Sequence, residues 1–292
     1  MAERSRFVIV IGTDGSASGH AAVEAATRFP WPARAEAVLV VATRGAIEWS
    51  PAARALAQGV AQRVGASALR TLRRRWPAAR ASYPLQAPSG ALLAAARSGG
   101  RGAIVVGSGG RGVLGRMLLG SVSRQVVQAA SCPVLVVKGR LTRARRFTIA
   151  VDGSASSRRA AEVVARLSVP PGGRVTLVSV IEPMRVPSGA LMPARVGGAL
   201  RAEAARLTSR RRRKLQGIQR RLRQRLHRAG WKVQEVVRSA TPLEGLLDAA
   251  KAGRADVLVI GARGTGGLQR LLLGSVAEGA MGRAPMSVLV VR

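Results

Sequence analysis

The sequence predicts an α/β protein of two tandem Rossmann-like domains, each built on a doubly wound, five-stranded parallel sheet. Short continuous apolar segments alternate with Ala-rich helical segments, and the whole pattern occurs twice within 292 residues. Continuous apolar segments are typical of parallel strands that are buried on both faces. We therefore expect one domain at residues 1–140 and a second at 141–292, with a short basic linker near 139–146.

Three motifs occur in the same order in both halves. An Asp-Gly-Ser triplet begins at Asp14 and again at Asp152, and a glycine-rich segment begins at Gly107 and again at Gly261. Each half then ends in a proline followed by a Val-rich run. A fixed order of motifs indicates an internal duplication. The second half carries about 16 extra residues between its first two motifs.

The apolar segments place the strands in chain order. The first half predicts strands at 7–11, 37–42, 103–106 and 134–137, with a weaker strand at 81–85. Helical segments lie between them at 18–28, 52–76, 90–97 and 121–130. The second half predicts strands at 148–151, 175–180, 257–260 and 288–291, with a weaker one at 232–237. Ligands of such sheets bind beyond the carboxyl ends of the strands.

Composition restricts the compartment and the kinds of site. No apolar run reaches the roughly 18 residues that a membrane helix needs, and the start of the sequence has no signal-peptide pattern. We therefore expect a cytoplasmic protein without a membrane span. One cysteine, Cys132, and two histidines exclude an intrachain disulfide and a Cys/His zinc site.

The charge balance is strongly basic. The formal net charge is +34, from 48 basic and 14 acidic residues, and no acidic residue lies between Glu48 and Asp152. A field of this sign attracts polyanions such as nucleic acid, a membrane surface or free nucleotides. A GC-rich coding bias would explain the preference for Arg over Lys, but it explains the scarcity of Asp and Glu less well.

The glycine-rich segment after the strand at 103–106 has the chemistry of a phosphate site. Its glycines let the backbone approach an anion, and Gly120 precedes a helix for which Ser121 is the expected N-cap. The free N–H groups at a helix start attract phosphate. Tight turns alone would also use such glycines, but repetition of the segment in both halves makes that interpretation weaker.

Other phosphate motifs fit less well. The spacing Gly107-x-Gly109-x-x-Gly112 matches a dinucleotide fingerprint, but that fingerprint belongs after the first strand and needs an acidic residue ~20 positions later. The second half has Arg263 at the second glycine position, and no P-loop motif is present. Asp14 follows the first strand, so we expect its carboxylate at the same sheet edge, where it could accept from a ribose hydroxyl or a base amino group.

The spacing of a glycine, two residues, a glycine, nine residues and Gly-Ser resembles the ATP-binding signature of the universal stress protein family. It is formed by Gly107, Gly110 and Gly120-Ser121, and again by Gly261, Gly264 and Gly274-Ser275. The Asp-Gly-Ser triplet and the last strand also resemble that family, so the resemblance covers nearly the whole chain. It implies a tandem member whose two domains pair through their last strands, as single-domain relatives pair in dimers.

The resemblance also implies a set of ATP-binding residues. Asp14 and Asp152 would face the adenine and ribose, and Ala42 and Val180 would border the base. Main-chain groups would hold ribose and phosphates at Gly107, Gly109, Gly110, Gly120 and Ser121, and in the second half at Gly261, Arg263, Gly264, Gly274 and Ser275. Each site would continue through Val122 and Ser123, and through Val276 and Ala277.

Three positions depart from that pattern. Ala42 is smaller than the valine usual in the family, which loosens the base pocket of the first half. Ala277 lacks the hydroxyl that Ser123 offers, so we expect weaker phosphate binding in the second half. Arg263 is expected to compensate with a charge-assisted contact.

The second half contains an insertion at 183–193 and then a basic helical segment at 194–229. Apolar residues recur in that segment at helical spacing, at Leu200, Leu207, Leu215, Ile218, Leu222 and Leu226. Most of the remaining residues are Arg. We favour an amphipathic helix that packs its leucines on the sheet over an Arg-lined docking face for nucleic acid, and a partner for the Arg face stays open.

Together these features predict an ATP-binding stress-response regulator that acts by nucleotide-dependent conformational or partner switching. ATP would bind with or without Mg²⁺, and we assign no catalytic residue and no metal ligand, so slow ATP hydrolysis has no assigned base. The alternative is a structural protein that binds nucleic acid or another polyanion and keeps vestigial nucleotide loops. An ATP-using transferase or hydrolase ranks third, because it would need a carboxylate pair near a loop. A homodimer also stays open.

Overall fold

A computed structural model describes residues 6–43, 50–100, 102–109, 119–186, 194–264 and 273–292. In the first half the strands are β1 (Phe7–Gly12), β2 (Ala35–Val40), β3 (Arg80–Ser82), β4 (Gly102–Gly107) and β5 (Val134–Val137). The helices between them are α1 (Ala17–Arg28), α2 (Pro51–Arg73), α3 (Pro88–Ser98) and α4 (Ser121–Ala129). All five predicted strands and four predicted helices are present here, so the alternating pattern is confirmed for this half.

The second half repeats this order. Its strands are β6 (Arg146–Ala150), β7 (Arg174–Ile181), β8 (Lys232–Ser239), β9 (Val257–Gly261) and β10 (Ser287–Val291). Its helices are α5 (Ala155–Ala165), α6 (Ala194–Arg228), α7 (Pro242–Ala252) and α8 (Ser275–Arg283). Part of the predicted insertion, 187–193, lies outside the described residues. Within the described ranges, no helix is both long enough and apolar enough to cross a membrane.

The two five-stranded sets form one sheet of ten strands, in the order β3-β2-β1-β4-β5-β10-β9-β6-β7-β8. Strands are parallel within each half, but β5 and β10 pair antiparallel, with Leu135 opposite Leu289. The expected pairing of the two last strands is therefore present within the chain. Because this central pair is antiparallel, the carboxyl ends of the first-half strands lie at one edge of the sheet. Those of the second half lie at the opposite edge.

Helices cover both faces of this sheet. One apolar cluster joins the sheet to α1, α2, α5 and α6, and a second joins it to α3, α4, α7 and α8. Strand residues that alternate along β1 and β4 enter the two clusters in turn, as expected for strands buried on both faces. Each cluster contains residues of both halves, so the two halves share their hydrophobic cores.

Aromatic rings concentrate where the halves meet. The ring centroid of Phe29 lies 4.3 Å from that of Trp31 and 5.8 Å from that of Phe147 in β6. Phe147 in turn lies 5.2 Å from Trp231, edge-on. Trp31, Phe29, Phe147 and Trp231 are at most 2% exposed. Edge-to-face and offset ring pairs add stabilisation beyond the burial of their area, so this row of rings ties the two halves together.

Three basic side chains donate hydrogen bonds to main-chain carbonyl oxygens at the carboxyl ends of helices. Arg75 donates to the carbonyls of Thr27 and Phe29 just after α1. The Lys138 ammonium donates to the carbonyl oxygens of residues 282 and 284 at the end of α8, at 3.2 and 2.8 Å. At the equivalent position of the second half, Arg292 donates to two carbonyls at the end of α4. Cations are favourable at this end of a helix, so part of the excess charge has a structural role.

Candidate functional site

The Asp-Gly-Ser triplet forms the same turn at the carboxyl end of the first strand in both halves. The Ser16 main-chain N–H donates to Oδ1 of Asp14 at 2.9 Å, and the Ser154 N–H donates to Oδ1 of Asp152 at 2.9 Å. The glycines between them have φ of +76° at Gly15 and +86° in the second copy, a conformation that favours glycine. Ser16 and Ser154 then cap α1 and α5 with their hydroxyls. The turn thus places each Asp carboxylate at the edge where the sheet ends.

The first glycine of each glycine-rich segment is required by packing. A Cβ on Gly107 would lie 2.5 Å from the carbonyl oxygen of Ser18 in α1. A Cβ on Gly261 would lie 2.8 Å from the main-chain carbon of Ser156 in α5. No side chain fits at such distances from backbone, so these two glycines let the strand end pass close to the next helix. Close approach of helix and strand explains them without a ligand.

The helices α4 and α8 begin at Ser121 and Ser275. Gly120 and Gly274 occupy the N-cap positions, with no capping side chain, and have ordinary φ values of −61° and −66°. The expectation that Ser121 caps α4 is therefore wrong, because its backbone is already helical. No side chain of the described residues caps α4, so an anion could accept from its first N–H groups.

A cavity of about 420 Å³ opens at the carboxyl edge of the first half. It collects most of the predicted residues, namely Asp14, Ala42, Gly107, Gly109, Gly120, Ser121, Val122 and Ser123. Gly110 lies outside the described residues. The apolar wall was not predicted from the sequence and consists of Val40, Pro88, Leu92 and Val106. Pro88 and Leu92 lie one turn apart at the start of α3, a spacing that could have indicated one helix face above the strand ends.

The Ser123 hydroxyl is engaged inside the protein. It is 5% exposed and donates to the carbonyl oxygen of Gly107 at 2.5 Å, which ties the end of β4 to α4. The second half has Ala277 at this position, 2% exposed, and no equivalent bond can form there. The hydroxyl proton of Ser123 is thus donated to the Gly107 carbonyl. A contact of this hydroxyl with phosphate stays a prediction.

In the second half the corresponding loop lies against its own turn. The carbonyl oxygen of Arg263 accepts hydrogen bonds from the hydroxyls of Ser154 and Ser156. A Cβ on Gly264 would lie 3.0 Å from Oδ2 of Asp152. Gly274 donates its N–H to the carbonyl of Ala262 at 2.9 Å. The loop therefore occupies the space next to the Asp152 carboxylate.

The remaining second-half residues are placed as follows. Val180 packs against α7, where a Cβ on Gly245 would lie 2.8 Å from Cγ1 of Val180. Ser275 and Val276 form the first turn of α8. The Arg263 side chain is exposed. The pKa of Arg292 is lowered mainly by the burial of Arg292 itself and, second, by the positive charge of Arg263. Arg263 therefore adds to a local excess of positive charge at this edge.

The basic helix α6 divides into two parts. Leu215, Leu222 and Leu226 are buried against the sheet, as predicted. Leu200 and Leu207 are 43% and 40% exposed, so the predicted packing is wrong for them. A helix of 35 residues is about 52 Å long, whereas an eight-residue strand spans about 26 Å. The first part of α6 therefore extends beyond the sheet edge.

No group of three or more His, Cys, Asp or Glu residues that could hold a metal ion occurs within the described ranges. The carboxylates at the two strand ends, Asp14 and Asp152, belong to opposite edges of the sheet. The geometry of the first cavity therefore suits binding by main-chain groups and one carboxylate, with an apolar wall beside them.

Comparison with known proteins identifies the same two units. The model of the universal stress protein family matches residues 6–138 and 143–292. A universal stress protein of Mycolicibacterium smegmatis is 32% identical over 200 residues, which are 65% of this chain and 61% of that protein. One from Mycobacterium tuberculosis strain H37Rv is 30% identical over 201 residues, with the same coverage of 65% and 61%. The chain thus spans about 61% of the length of these curated relatives.

Solved structures agree on the fold. The crystal structure of a universal stress protein from Archaeoglobus fulgidus matches with a TM-score of 0.65 at 21% identity, over 97% of each chain. A structure from Pseudomonas aeruginosa UCBPP-PA14 matches with a TM-score of 0.57 at 17% identity, over 98% of this chain and 92% of the other. At these identities the likeness concerns the fold alone.

Proposed function

The chain belongs to the universal stress protein family, with one family domain in each half, and on that premise we propose that it is an ATP-binding stress-response regulator. The observation that carries the proposal is the cavity of about 420 Å³ at the carboxyl edge of the first half. Its size lies in the range of small-molecule sites. It stands at the position in an open α/β sheet where ligands bind.

The lining of the cavity suits the two ends of ATP. The walls formed by Val40, Leu92 and Val106 are apolar and can cover an adenine ring. The lining also includes Gly109 and the start of α4, whose N–H groups and dipole favour phosphate oxygens. Asp14, at the edge of the cavity, can accept from a ribose hydroxyl or the adenine amino group.

Binding rather than fast turnover is the proposed activity. Hydrolysis needs a base within hydrogen-bond reach of the attacking water, and Asp14 is the one acidic residue among the described residues that line the cavity. Its carboxylate already accepts from the Ser16 N–H. When bound, ATP with or without Mg²⁺ would supply negative charge at the start of α4. We propose that this added charge changes the surface offered to a partner.

Calorimetric titration with Mg-ATP tests the proposal. The protein should first be washed with nuclease and high salt, because its charge retains polyanions. We expect micromolar binding, and we expect Gly109→Asp to abolish measurable binding by placing a carboxylate beside the phosphates. Gly59→Asp is the matched control, because Gly59 lies in α2 with nothing within 4 Å of its added side chain. Absence of binding, or equal binding by both variants, would contradict the proposal.

A second candidate function is polyanion binding through α6. Arg210, Arg211, Arg212, Arg213 and Lys214 are all exposed, in the part of the helix that extends beyond the sheet. Ion pairs between described residues of α6 and the rest of the protein involve Arg223 and Arg225, both in the packed part. The extended part therefore offers a dense set of guanidinium groups that the described fold does not neutralise.

Salt dependence tests this second candidate. If α6 contacts nucleic-acid phosphates, the logarithm of the affinity should fall with the logarithm of salt concentration, with a slope near −0.9 per phosphate contacted. Replacing Arg210 to Arg213 with Gln should make that slope less negative, because fewer phosphates are contacted. The matched control is replacement of the same number of Arg residues on α2, and an unchanged slope in the α6 variant would exclude α6 as the site.

A further inference from the structure

We infer that the two halves have divided roles: ATP binds in the first-half cavity alone, and the second-half loop closes the equivalent space with its own residues. This inference rests on the proposed function. It concerns which of two related sites takes the nucleotide, a choice that the repeated sequence motifs leave undecided.

The first step is the closure itself. In the second half the hydroxyls of Ser154 and Ser156 hold the carbonyl of Arg263 over the start of α5. Gly264 then lies so close to Asp152 that an added Cβ would be 3.0 Å from Oδ2. The carboxylate proposed to meet adenine and ribose is therefore in contact with the loop. A ligand would have to displace these contacts before it could reach Asp152.

The second step is the residue at the closing position. The equivalent of Arg263 in the first half is Gly109, which lines the open cavity. Glycine leaves that space empty. Arg263 instead brings a long side chain whose charge lowers the pKa of Arg292. Arg263 therefore adds an exposed cation to the second half, where the first half has glycine.

The third step concerns the base end. Ala42 lines the first cavity, whereas the bulkier Val180 takes its place in the second half and packs against Gly245 of α7. The equivalent helix residue is Ala91 in the first half and Gly245 in the second, where an added Cβ would lie 2.8 Å from Cγ1 of Val180. The extra methyl groups of Val180 fill a region that Ala42 leaves open. The base end of the first cavity is therefore the wider of the two, which leaves more room for an adenine ring in the first half.

The fourth step concerns the helix start. Gly19 lines the first cavity, and a Cβ there would lie 2.6 Å from Oγ1 of Thr13 and 2.8 Å from Oδ1 of Asp14. The second half has Ser157 at this position, 3% exposed, with its hydroxyl bonded to the carbonyl of Ser154. The first half therefore keeps α1 tight against its turn beside the cavity, while the second half uses that position to fill its core.

Binding stoichiometry and photoaffinity labelling of the full chain test the division. We expect one equivalent of Mg-ATP per chain by equilibrium dialysis, and we expect Gly109→Asp to reduce it to none at the same ATP concentration. Irradiation with 8-azido-ATP should label peptides of the first half, such as those from α3 or β4, and the label should be lost when unlabelled ATP is in excess. Gly59→Asp is the control and should keep one equivalent.

The outcomes separate the two proposals. Two equivalents per chain, one remaining equivalent in Gly109→Asp, or label on peptides that contain 262–264 would overturn the division of roles and leave ATP binding intact. If the unmodified chain binds no ATP, and if excess unlabelled ATP prevents no labelling, both ATP binding and the division of roles between the halves are overturned. Thermal unfolding of both glycine variants shows whether a lost equivalent reflects lost folding.

Discussion

Replacing Phe29 with alanine should destabilise both halves of the protein together. Phe29 is 0% exposed and its ring lies 4.3 Å from Trp31 of the first half and 5.8 Å from Phe147 of the second. Truncation of a buried Phe costs about 3–5 kcal/mol, and the two lost ring pairs favour the upper part of that range. With an unfolding entropy of about 2.1 cal/mol/K per residue, a loss of about 4 kcal/mol lowers Tm by roughly 6–7 °C.

The assay is scanning calorimetry combined with hydrogen exchange. We expect a single transition in the unmodified protein, and in Phe29→Ala a lower single transition with faster exchange in β6 and β7 as well as in β1 and β2. Leu56→Ala is the control, because Leu56 is 69% exposed and its truncation should change stability by less than about 0.5 kcal/mol. A variant in which only first-half strands exchange faster would refute the claim that the ring row couples the halves.

Three further predictions follow from single contacts. Gly107→Ala should cost about 1–3 kcal/mol in urea unfolding, because its Cβ would lie 2.5 Å from the backbone of α1, whereas Gly59→Ala should stabilise by up to about 1 kcal/mol through helix propensity. Ser123→Ala should lower stability by about 1 kcal/mol through loss of its bond to the Gly107 carbonyl, and a stability equal to that of the unmodified protein would show that the bond contributes nothing. Burial lowers the pKa of Lys138 to about 8, from the ordinary value of 10.5. The unfolded chain therefore binds more protons than the folded one between about pH 8 and 10.5, and the free energy of unfolding should rise with pH across that window. Lys138→Met should remove this rise, and an identical pH profile in both proteins would contradict the assignment.

The strands were predictable because each is a short apolar run with buried neighbours on both faces. The Val-rich segments at β4, β5, β9 and β10 are examples, and even the three-residue β3 was expected near its observed position. The aromatic row was not predictable, because Phe29 and Phe147 are far apart in sequence and nothing local marks their contact. The exposure of Leu200 and Leu207 was also missed, because helical periodicity shows which residues share a face but not how far the sheet extends beneath it.

The site was predictable in its main-chain parts and less so in its walls. The spacing of glycines indicated that Gly107 and Gly261 follow equivalent strands, but it could not show that packing requires them. That requirement depends on the distance between a strand end and the next helix. The difference between the halves was visible in sequence as Arg263 in place of Gly109. The predicted phosphate contact of the Arg263 side chain stays a prediction, and the sequence did not indicate that the Arg263 carbonyl accepts from the hydroxyls of Ser154 and Ser156.

The helix α4 connects the first cavity with the opposite edge of the sheet. It begins at the cavity, where its N–H groups are uncapped, and its last carbonyls are bonded by Arg292, which follows the last strand of the second half. Its side chain Arg124 also pairs with Glu278 of α8 at 3.1 Å. A phosphate at the start of α4 would interact with the same helix dipole that Arg292 meets at the other end. The positive charge of Arg263 contributes to the lowered pKa of Arg292, after burial. A phosphate at the start of α4 and Arg292 at its end would therefore both stabilise the dipole of one nine-residue helix.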